Sequence, residues 1–222
     1  MRLLLDYQYD ITRYIRYSGT LGSSTRNRLE AKLIINYHGI EKGLALRETR
    51  IGFGKERVKA LLRDLDEYIS CYGCDETVGV CLKVLEAYLN FHRSQGYTFE
   101  AFEEEFKRMT KRCKEIQDDV AGGVREVYAA HIRSEARGSF PQLVHSRHSI
   151  RQFASRRVGV DIIREAISLA IRTPSVCNRP SWRVRAYEGV MKDRLLALQH
   201  GNRGFGHEVP MLLVVTGDLE YF

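Results

Sequence analysis

The segment from Thr77 to Arg93 constrains the fold most, because it is apolar on nearly every side of a helix. Its apolar residues are Val78, Val80, Cys81, Leu82, Val84, Leu85, Tyr88 and Leu89. A helix that is hydrophobic all round must be covered by other elements inside a domain. The pattern therefore predicts the central helix of a bundle.

Neighbouring segments supply amphipathic helices that can cover this central helix. Residues 27–37, 56–70 and 99–116 place apolar residues at spacings of three and four, which is typical of one helical face. The aromatic stripe of the last segment, from Phe99 to Ile116, favours a packing seam over a cofactor site. With a short N-terminal helix and a further helix over 124–135, residues 1–135 are predicted to form a helical N-terminal module.

Charge is unevenly distributed along the chain, whose formal net charge is +7. Residues 1–135 carry 22 Lys and Arg against 21 Asp and Glu, whereas residues 136–222 carry 13 against 7, and twelve of these 13 cations are Arg. Arginine in place of lysine favours recognition of specific anions, because the guanidinium fork matches phosphate geometry. Nucleic acid is the rival explanation, but no nucleic-acid-binding motif occurs, so no nucleic-acid partner is expected.

The five cysteines do not predict a disulfide framework, because their number is odd and the chain is long enough to bury a core. Cys71 and Cys74 have C-x-x-C spacing, but a zinc site normally needs a second Cys or His pair. We therefore expect reduced cysteines and no metal. Zinc or redox chemistry at this pair is the less favoured alternative.

The hydropathy pattern predicts a cytoplasmic protein. No stretch of about eighteen uncharged apolar residues is present, so no membrane span is expected. Asp6 and Asp10 interrupt the apolar N-terminus, which therefore lacks the features of a signal peptide.

One polar cluster in the helical module suggests chemistry. His38 and Glu41 are three residues apart, which places both on one face of a helix. No second histidine follows at metal-binding spacing, so a zinc protease motif is excluded. The favoured interpretation is a polar helix end before Gly43, and a contribution to a substrate site in the other domain is the alternative.

The strongest functional signal is the segment Arg147–Phe153, which we name the arginine segment. In an extended backbone Arg147, Ser149 and Arg151 share one face, because side chains alternate with period two. Three donors that converge from one side suit a phosphate or another planar anion. By itself, the pattern also fits a solvated basic strand.

The elements after the arginine segment alternate between helix and strand. A helix is predicted over 162–172, with Asp161 as its N-cap and Pro174 after its end. A strand over 182–187, a second helix over 191–200 and a continuous apolar run over 209–216 follow. Such a run is typical of a central strand.

This order of parts resembles the nitroreductase family of flavin-dependent oxidoreductases. Two motifs carry the resemblance: Arg147-His148-Ser149-x-Arg151-x-Phe153, and Thr173-Pro174-Ser175-Val176-Cys177-Asn178-Arg179-Pro180-Ser181-Trp182. It covers about residues 138–222. The residues from Tyr37 to Leu44 are also similar to the N-terminal extension of nitroreductase-like proteins associated with surface-polysaccharide genes.

The resemblance implies an α+β protein in two domains. The helical N-terminal module, residues 1–135, would be followed by the first part of a nitroreductase-like α/β sandwich with a mainly antiparallel sheet. Residues 136–222 would then be an incomplete FMN-binding domain, because the family's domain continues beyond the last predicted strand.

The resemblance further implies FMN as cofactor, NAD(P)H as reductant and two-electron ping-pong reduction of a small, unidentified acceptor. The implied FMN contacts are Arg147 and Ser149 at the phosphate, His148 at the ribityl chain or in packing, Arg151 at the pyrimidine edge, and Asn202. In a homodimer, Pro174, Ser175 and Val176 would cover the neighbouring subunit's flavin, and Asn178 would hold their loop. No catalytic acid, base or nucleophile is implied, because the flavin carries the chemistry. A non-catalytic nitroreductase-like scaffold that acts through its helical module is the alternative.

Overall fold

A computed structural model describes residues 2–18, 25–114, 120–175 and 180–218 of the chain. Within these ranges the protein is mostly helical and has one small antiparallel sheet, so its class is α+β. The chain divides into two compact units. Met1–Ala45 and Thr49–Val127 form the first unit, and Leu46–Glu48 and Tyr128–Phe222 form the second.

The two units differ in their secondary structure. The first contains the helices α1 (Arg2–Tyr17), α2 (Arg26–Leu44), α3 (Lys55–Tyr72), α4 (Glu76–Ser94) and α5 (Glu100–Arg112). The second contains α6 (Ala129–Glu135), α7 (Phe140–Ser146), α8 (Val160–Ala170), β1 (Trp182–Tyr187), α9 (Gly189–Leu198) and β2 (Leu212–Gly217). The boundary lies before α6, whereas the sequence placed it after Glu135, and the segment Leu46–Glu48 also belongs to the second unit.

Helix α4 lies at the centre of the first unit together with α3, which contacts as many helices, so the prediction of a single central helix is confirmed only in part. It contacts α2, α3 and α5, and its side chains at Val84, Leu85 and Tyr88 are almost completely buried. The core consists of Leu29, Leu33, Ile40, Val58, Leu61, Leu62, Leu65, Tyr68, Ile69, Val78, Cys81, Val84, Leu85, Tyr88, Leu89, Met109 and Cys113. Burial of this much apolar surface is the main stabilising contribution to a bundle of this kind.

A polar network around the buried Tyr68 joins the ends of three helices in the first unit. The Tyr68 hydroxyl lies 2.6 Å from Asp75 Oδ2 and 2.9 Å from Glu30 Oε1, and Arg26 donates to both carboxylates. Burial, together with the two carboxylates, raises the pKa of Tyr68, so its hydroxyl stays protonated. Asp75 also accepts a hydrogen bond from Val78 N at the first turn of α4, where it is the N-cap.

The expectation of reduced cysteines is wrong for Cys74 and Cys113. These two residues form a disulfide with a Cα–Cα distance of 5.6 Å, while Cys71 and Cys81 are free thiols. The pairing depends on the packing of α5, whose buried Met109 holds Cys113 beside the turn that precedes α4. A contact between residues 39 positions apart leaves no local pattern in the sequence.

The helix predicted over 124–135 is shorter than expected, because residues 120–128 are not helical. Here the chain runs against α4, and a Cβ at Gly122 would lie 2.9 Å from both Lys83 Cβ and Val80 O. Only glycine permits so close an approach of the backbone. Glu41 accepts a hydrogen bond from the next residue, Gly123, at 3.1 Å, which fixes this crossing.

The sheet of the second unit has two antiparallel strands within the described residues. Trp182 of β1 pairs with Gly217 of β2, and Tyr187 pairs with Leu212. The prediction of a central strand over 209–216 is therefore wrong for this part of the chain: Leu213 and Val215 are exposed. The predicted cap of α8 is also wrong, because Gly159 is its N-cap and Asp161 lies within its first turn, paired with Arg164.

None of the described helices combines the length and the apolar character that crossing a lipid bilayer requires.

Candidate functional site

Glu208 joins the end of the arginine segment to the stretch before β2. Its Oε2 atom accepts hydrogen bonds from Arg47 Nε at 3.1 Å and Arg47 Nη2 at 2.9 Å, and from the backbone N–H of Phe153 at 3.2 Å. Arg47 Nη2 also donates to the Phe153 carbonyl at 3.2 Å. The Phe153 and Phe205 rings stack beside this arrangement, with centroids 6.2 Å apart. We name Arg47, Phe153 and Glu208 the carboxylate clamp.

The clamp has a strong electrostatic preference for an ionised Glu208. The hydrogen bonds from Arg47 hold the pKa of Glu208 below its ordinary value, and the Phe153 N–H acts in the same direction, while burial acts in the opposite one. The same pairing raises the pKa of Arg47. Both groups are therefore charged at neutral pH. Two nitrogens of Arg47 and the Phe153 N–H donate to the same oxygen of Glu208, which fixes the backbone of Phe153.

Arg147 and Arg151, which precede the clamp, have no side-chain partner in the part of the chain that the structure describes. Arg147 is exposed and Arg151 is half-buried. Among the described residues, neither guanidinium makes a hydrogen bond or an ion pair. Three carboxylates of the same unit pair with other arginines: Asp161 with Arg164, Glu188 with Arg157, and Asp218 with Arg183. The arginine segment therefore presents two uncompensated positive charges.

The other predicted cofactor contacts have varied environments. His148 is half-buried, whereas Ser149 and Pro174 are exposed and Ser175 is half-buried. Asn202 is half-buried, and its Nδ2 donates to the carbonyl of Leu196 at 2.6 Å. Val176 and Asn178 lie outside the described residues, so the predicted role of their loop remains a prediction.

The structure joins Phe153 of the arginine segment to Phe205 and Glu208, which lie a few positions after the predicted flavin contact Asn202. Sequence reasoning did not find the charged residues of the clamp, Arg47 and Glu208. They are 161 positions apart, and each resembles an ordinary surface charge in its local sequence. The segment Leu46–Glu48 belongs to the second unit although the chain before and after it belongs to the first, and no hydrophobic periodicity in the sequence predicts this.

The donor set of the arginine segment fits an anionic ligand such as the phosphate of FMN. A half-buried guanidinium has lost part of its hydration, and this loss is unfavourable unless a partner compensates it. Arg151 is in this position, and among the described residues no carboxylate pairs with it. Arg147 and the Ser149 hydroxyl add two further donors a few residues away.

The His38–Glu41 pair has a structural role. His38 Nδ1 lies 3.5 Å from Glu41 Oε2, on one face of α2, which continues as a helix through Leu44. The other oxygen of Glu41 binds Gly123 N. Among the described residues, no group of three or more His, Cys, Asp or Glu side chains could hold a metal ion.

Comparison with known proteins identifies no family for the chain. No protein-family model matches the chain, and neither a curated protein nor a solved structure matches it. The resemblance to nitroreductases therefore rests on the motifs at residues 147–153 and 173–182.

Proposed function

We propose that the second unit binds FMN and that the protein is an NAD(P)H-dependent oxidoreductase of nitroreductase type. It would reduce a small acceptor by two electrons and act as a homodimer. The observation that carries the proposal is the half-buried guanidinium of Arg151, which has no partner among the described residues and lies in a segment that the carboxylate clamp joins to Glu208.

Each proposed contact has a physical task. Arg147 and Ser149 bind the phosphate, because an arginine and a hydroxyl both donate to oxyanions. Arg151 provides a fixed positive charge, which stabilises negative charge with little reorganisation. FMN, when bound, would supply the two-electron redox chemistry of the reaction.

The clamp orients these groups without touching the ligand. Glu208 holds the Phe153 backbone, two residues after Arg151, so the arginine segment has little freedom to turn its donors away. Preorganised donors bind more tightly than mobile ones, because less conformational entropy is lost on binding. Arg47 and Glu208 are therefore positioning residues in this proposal.

Titration of the purified protein with FMN tests the proposal, with quenching of flavin fluorescence as the signal. Arg147→Ala and Arg151→Ala should each weaken FMN binding about 10- to 100-fold, because a hydrogen bond to a charged group is worth about 1.5–3 kcal/mol. Arg194→Ala is the matched control, since Arg194 is an exposed arginine of the same unit with no partner among the described residues.

Two results would contradict the proposal. One is a wild-type protein that binds no FMN at micromolar concentration, and the other is unchanged affinity in both Arg147→Ala and Arg151→Ala. If FMN binds, bleaching of its visible absorbance by NADH or NADPH tests the enzymatic step. Sedimentation of the holoprotein tests the homodimer.

The alternative function is a non-catalytic scaffold that binds a protein through the helical module, and α1 favours it. Four apolar side chains along this helix are 58–74% exposed: Leu4, Ile11, Tyr14 and Tyr17. Exposed apolar side chains in such number usually mark an interaction surface. Protein that stays colourless and cannot be reconstituted with FMN would support this alternative. Its specific test is Ile11→Asp, which should abolish partner binding and leave FMN titration unchanged.

A further inference from the structure

Three cysteines of the first unit meet at one corner of the bundle. Cys74 is exposed and bonded to Cys113, whose side chain is only 6% exposed. Cys71, an exposed free thiol, lies three positions before Cys74 at the end of α3. One sulfur of the disulfide is therefore accessible, and a free thiol is its close neighbour along the chain.

The contacts around the disulfide bring the third cysteine into the same corner. Arg112, which directly precedes Cys113, donates to Ser70 Oγ at 3.1 Å, and Ser70 directly precedes Cys71. Helix α3 ends at Tyr72, and Gly73 follows with φ of 80°, a conformation that favours glycine. The helix therefore ends between Cys71 and Cys74, whose C-x-x-C spacing is that of motifs that form a disulfide within themselves.

We propose that Cys71, Cys74 and Cys113 form a thiol–disulfide exchange site. The Cys71 thiolate attacks Cys74 Sγ, a Cys71–Cys74 bond forms, and the Cys74–Cys113 bond breaks. The electron pair of the broken bond leaves on Cys113 Sγ, which takes up the proton that Cys71 lost. The step is an isomerisation between two disulfides, so it needs no oxidant or reductant.

The exchange changes what holds α5 in place. With the Cys74–Cys113 bond, the end of α5 is tied covalently to the turn before α4. With the Cys71–Cys74 bond, the disulfide closes only a four-residue turn, and α5 is held by Met109 packing and by the contacts of Arg112 with Asp66 and Ser70. The site is thus a covalent switch on the docking of α5.

The remaining described cysteine does not take part. Cys81 is fully buried in α4, and burial raises the pKa of its thiol to about 12, so it is protonated and inaccessible at neutral pH. Cys81→Ala is therefore the matched control for substitutions at the exchange site.

Thiol labelling of the full-length oxidised protein tests the proposal. After removal of all reductant, the protein is incubated at pH 8 with iodoacetamide, and chymotrypsin, which cleaves after Tyr72, separates Cys71 from Cys74 for mass spectrometry. The wild type and Cys81→Ala should show alkylated Cys113 together with a linked Cys71–Cys74 peptide pair. Cys71→Ser should lose the labelling of Cys113, because its disulfide has no neighbouring thiol to open it.

Three outcomes would overturn the proposal. In the first, Cys113 of the wild type is never alkylated. In the second, Cys113 of the Cys71→Ser protein is alkylated as in the wild type. In the third, Cys71 is found linked to a cysteine other than Cys74. The variant Cys113→Ser provides an independent check, because oxidised glutathione should convert it entirely to the Cys71–Cys74 form. Failure of that bond to form also overturns the proposal.

Discussion

The two units use different means of holding their elements together. Every buried apolar side chain among the described residues belongs to the first unit, whereas the only buried residues of the second are Ser146 and Lys192. Apolar side chains of the second unit are instead widely exposed, for example Leu169 at 69% and Leu198 at 78%. Its organisation comes from polar contacts and one small sheet.

Polar contacts of this kind stabilise much less than a packed core. The second unit has the carboxylate clamp, the Arg157–Glu188 and Arg183–Asp218 pairs, and a hydrogen bond from Lys192 to Val209 O. Exposed ion pairs contribute about 0–1 kcal/mol each, and an isolated two-stranded sheet is marginal in water. The first unit is therefore the stable part of the molecule, and the second unit is the part on which a ligand or partner has the larger effect.

Matched leucine substitutions give the largest expected contrast. Leu65→Ala in α3 removes a fully buried side chain and should lower the free energy of unfolding by about 2–5 kcal/mol. Leu198→Ala in α9 removes an exposed side chain and should change it by less than about 0.5 kcal/mol. Urea denaturation followed by circular dichroism measures both. Equal losses would contradict the contrast between the units.

Removal of the disulfide should have the next largest effect. Under non-reducing conditions Cys113→Ser should destabilise the first unit by about 2–4 kcal/mol, because the disulfide restricts the unfolded chain over a separation of 39 residues. Cys71→Ser leaves that bond intact and should stay within about 0.5 kcal/mol of the wild type. Chemical denaturation with and without dithiothreitol provides the measurement. A wild type that is insensitive to dithiothreitol would contradict this prediction.

The single tryptophan allows the units to be followed separately. Trp182 lies in β1 of the second unit, whereas most of the helical dichroism comes from the first. Trp182 fluorescence should change at lower urea than the dichroism does. If the proposed function is correct, FMN at 100 times its Kd should stabilise the Trp182 transition by about 2.7 kcal/mol. Coincident transitions for the two signals would show one cooperative domain instead.

Acid should weaken the carboxylate clamp, and this is the smallest expected effect. The pKa of Glu208 is lowered in the folded state, so its contribution to stability is present above the ordinary glutamate pKa of about 4.3 and is lost as the pH falls below it. Glu208→Gln should remove this component from the pH dependence of the Trp182 transition. Glu165→Gln is the control, because Glu165 is exposed and unpaired among the described residues. The same pH dependence in Glu208→Gln as in the wild type would exclude the clamp as its source.

Local patterns located most helices to within a few residues. The helices predicted over 56–70 and 77–93 correspond to α3 and α4, and the strand predicted over 182–187 has the bounds of β1. Periodicity succeeds at such segments because each buries one face or all faces in a regular way. It failed over 124–128, which are not helical and directly follow the close crossing of Gly122 and Gly123 over α4.

The candidate site was only partly predictable. The arginine segment is visible in the sequence because guanidinium, hydroxyl and imidazole groups occur within a few positions. The sequence does not show that Arg147 and Arg151 lack a partner among the described residues. That depends on which acidic side chains lie near them in the folded unit. The carboxylate clamp was not predictable either, because Arg47 and Glu208 meet across 161 positions.

The sequence by itself determined the helical character of the first unit, the burial of α4 within it, and the concentration of arginine after residue 136. These follow from side-chain spacing and composition, which act over a few residues. The tertiary structure alone decided that Cys74 pairs with Cys113, that Arg47 joins Glu208, and that β2 has one neighbour among the described residues. Each of these contacts requires segments that are distant in the sequence to approach within a few ångströms. Such contacts depend on how the helices and strands pack together.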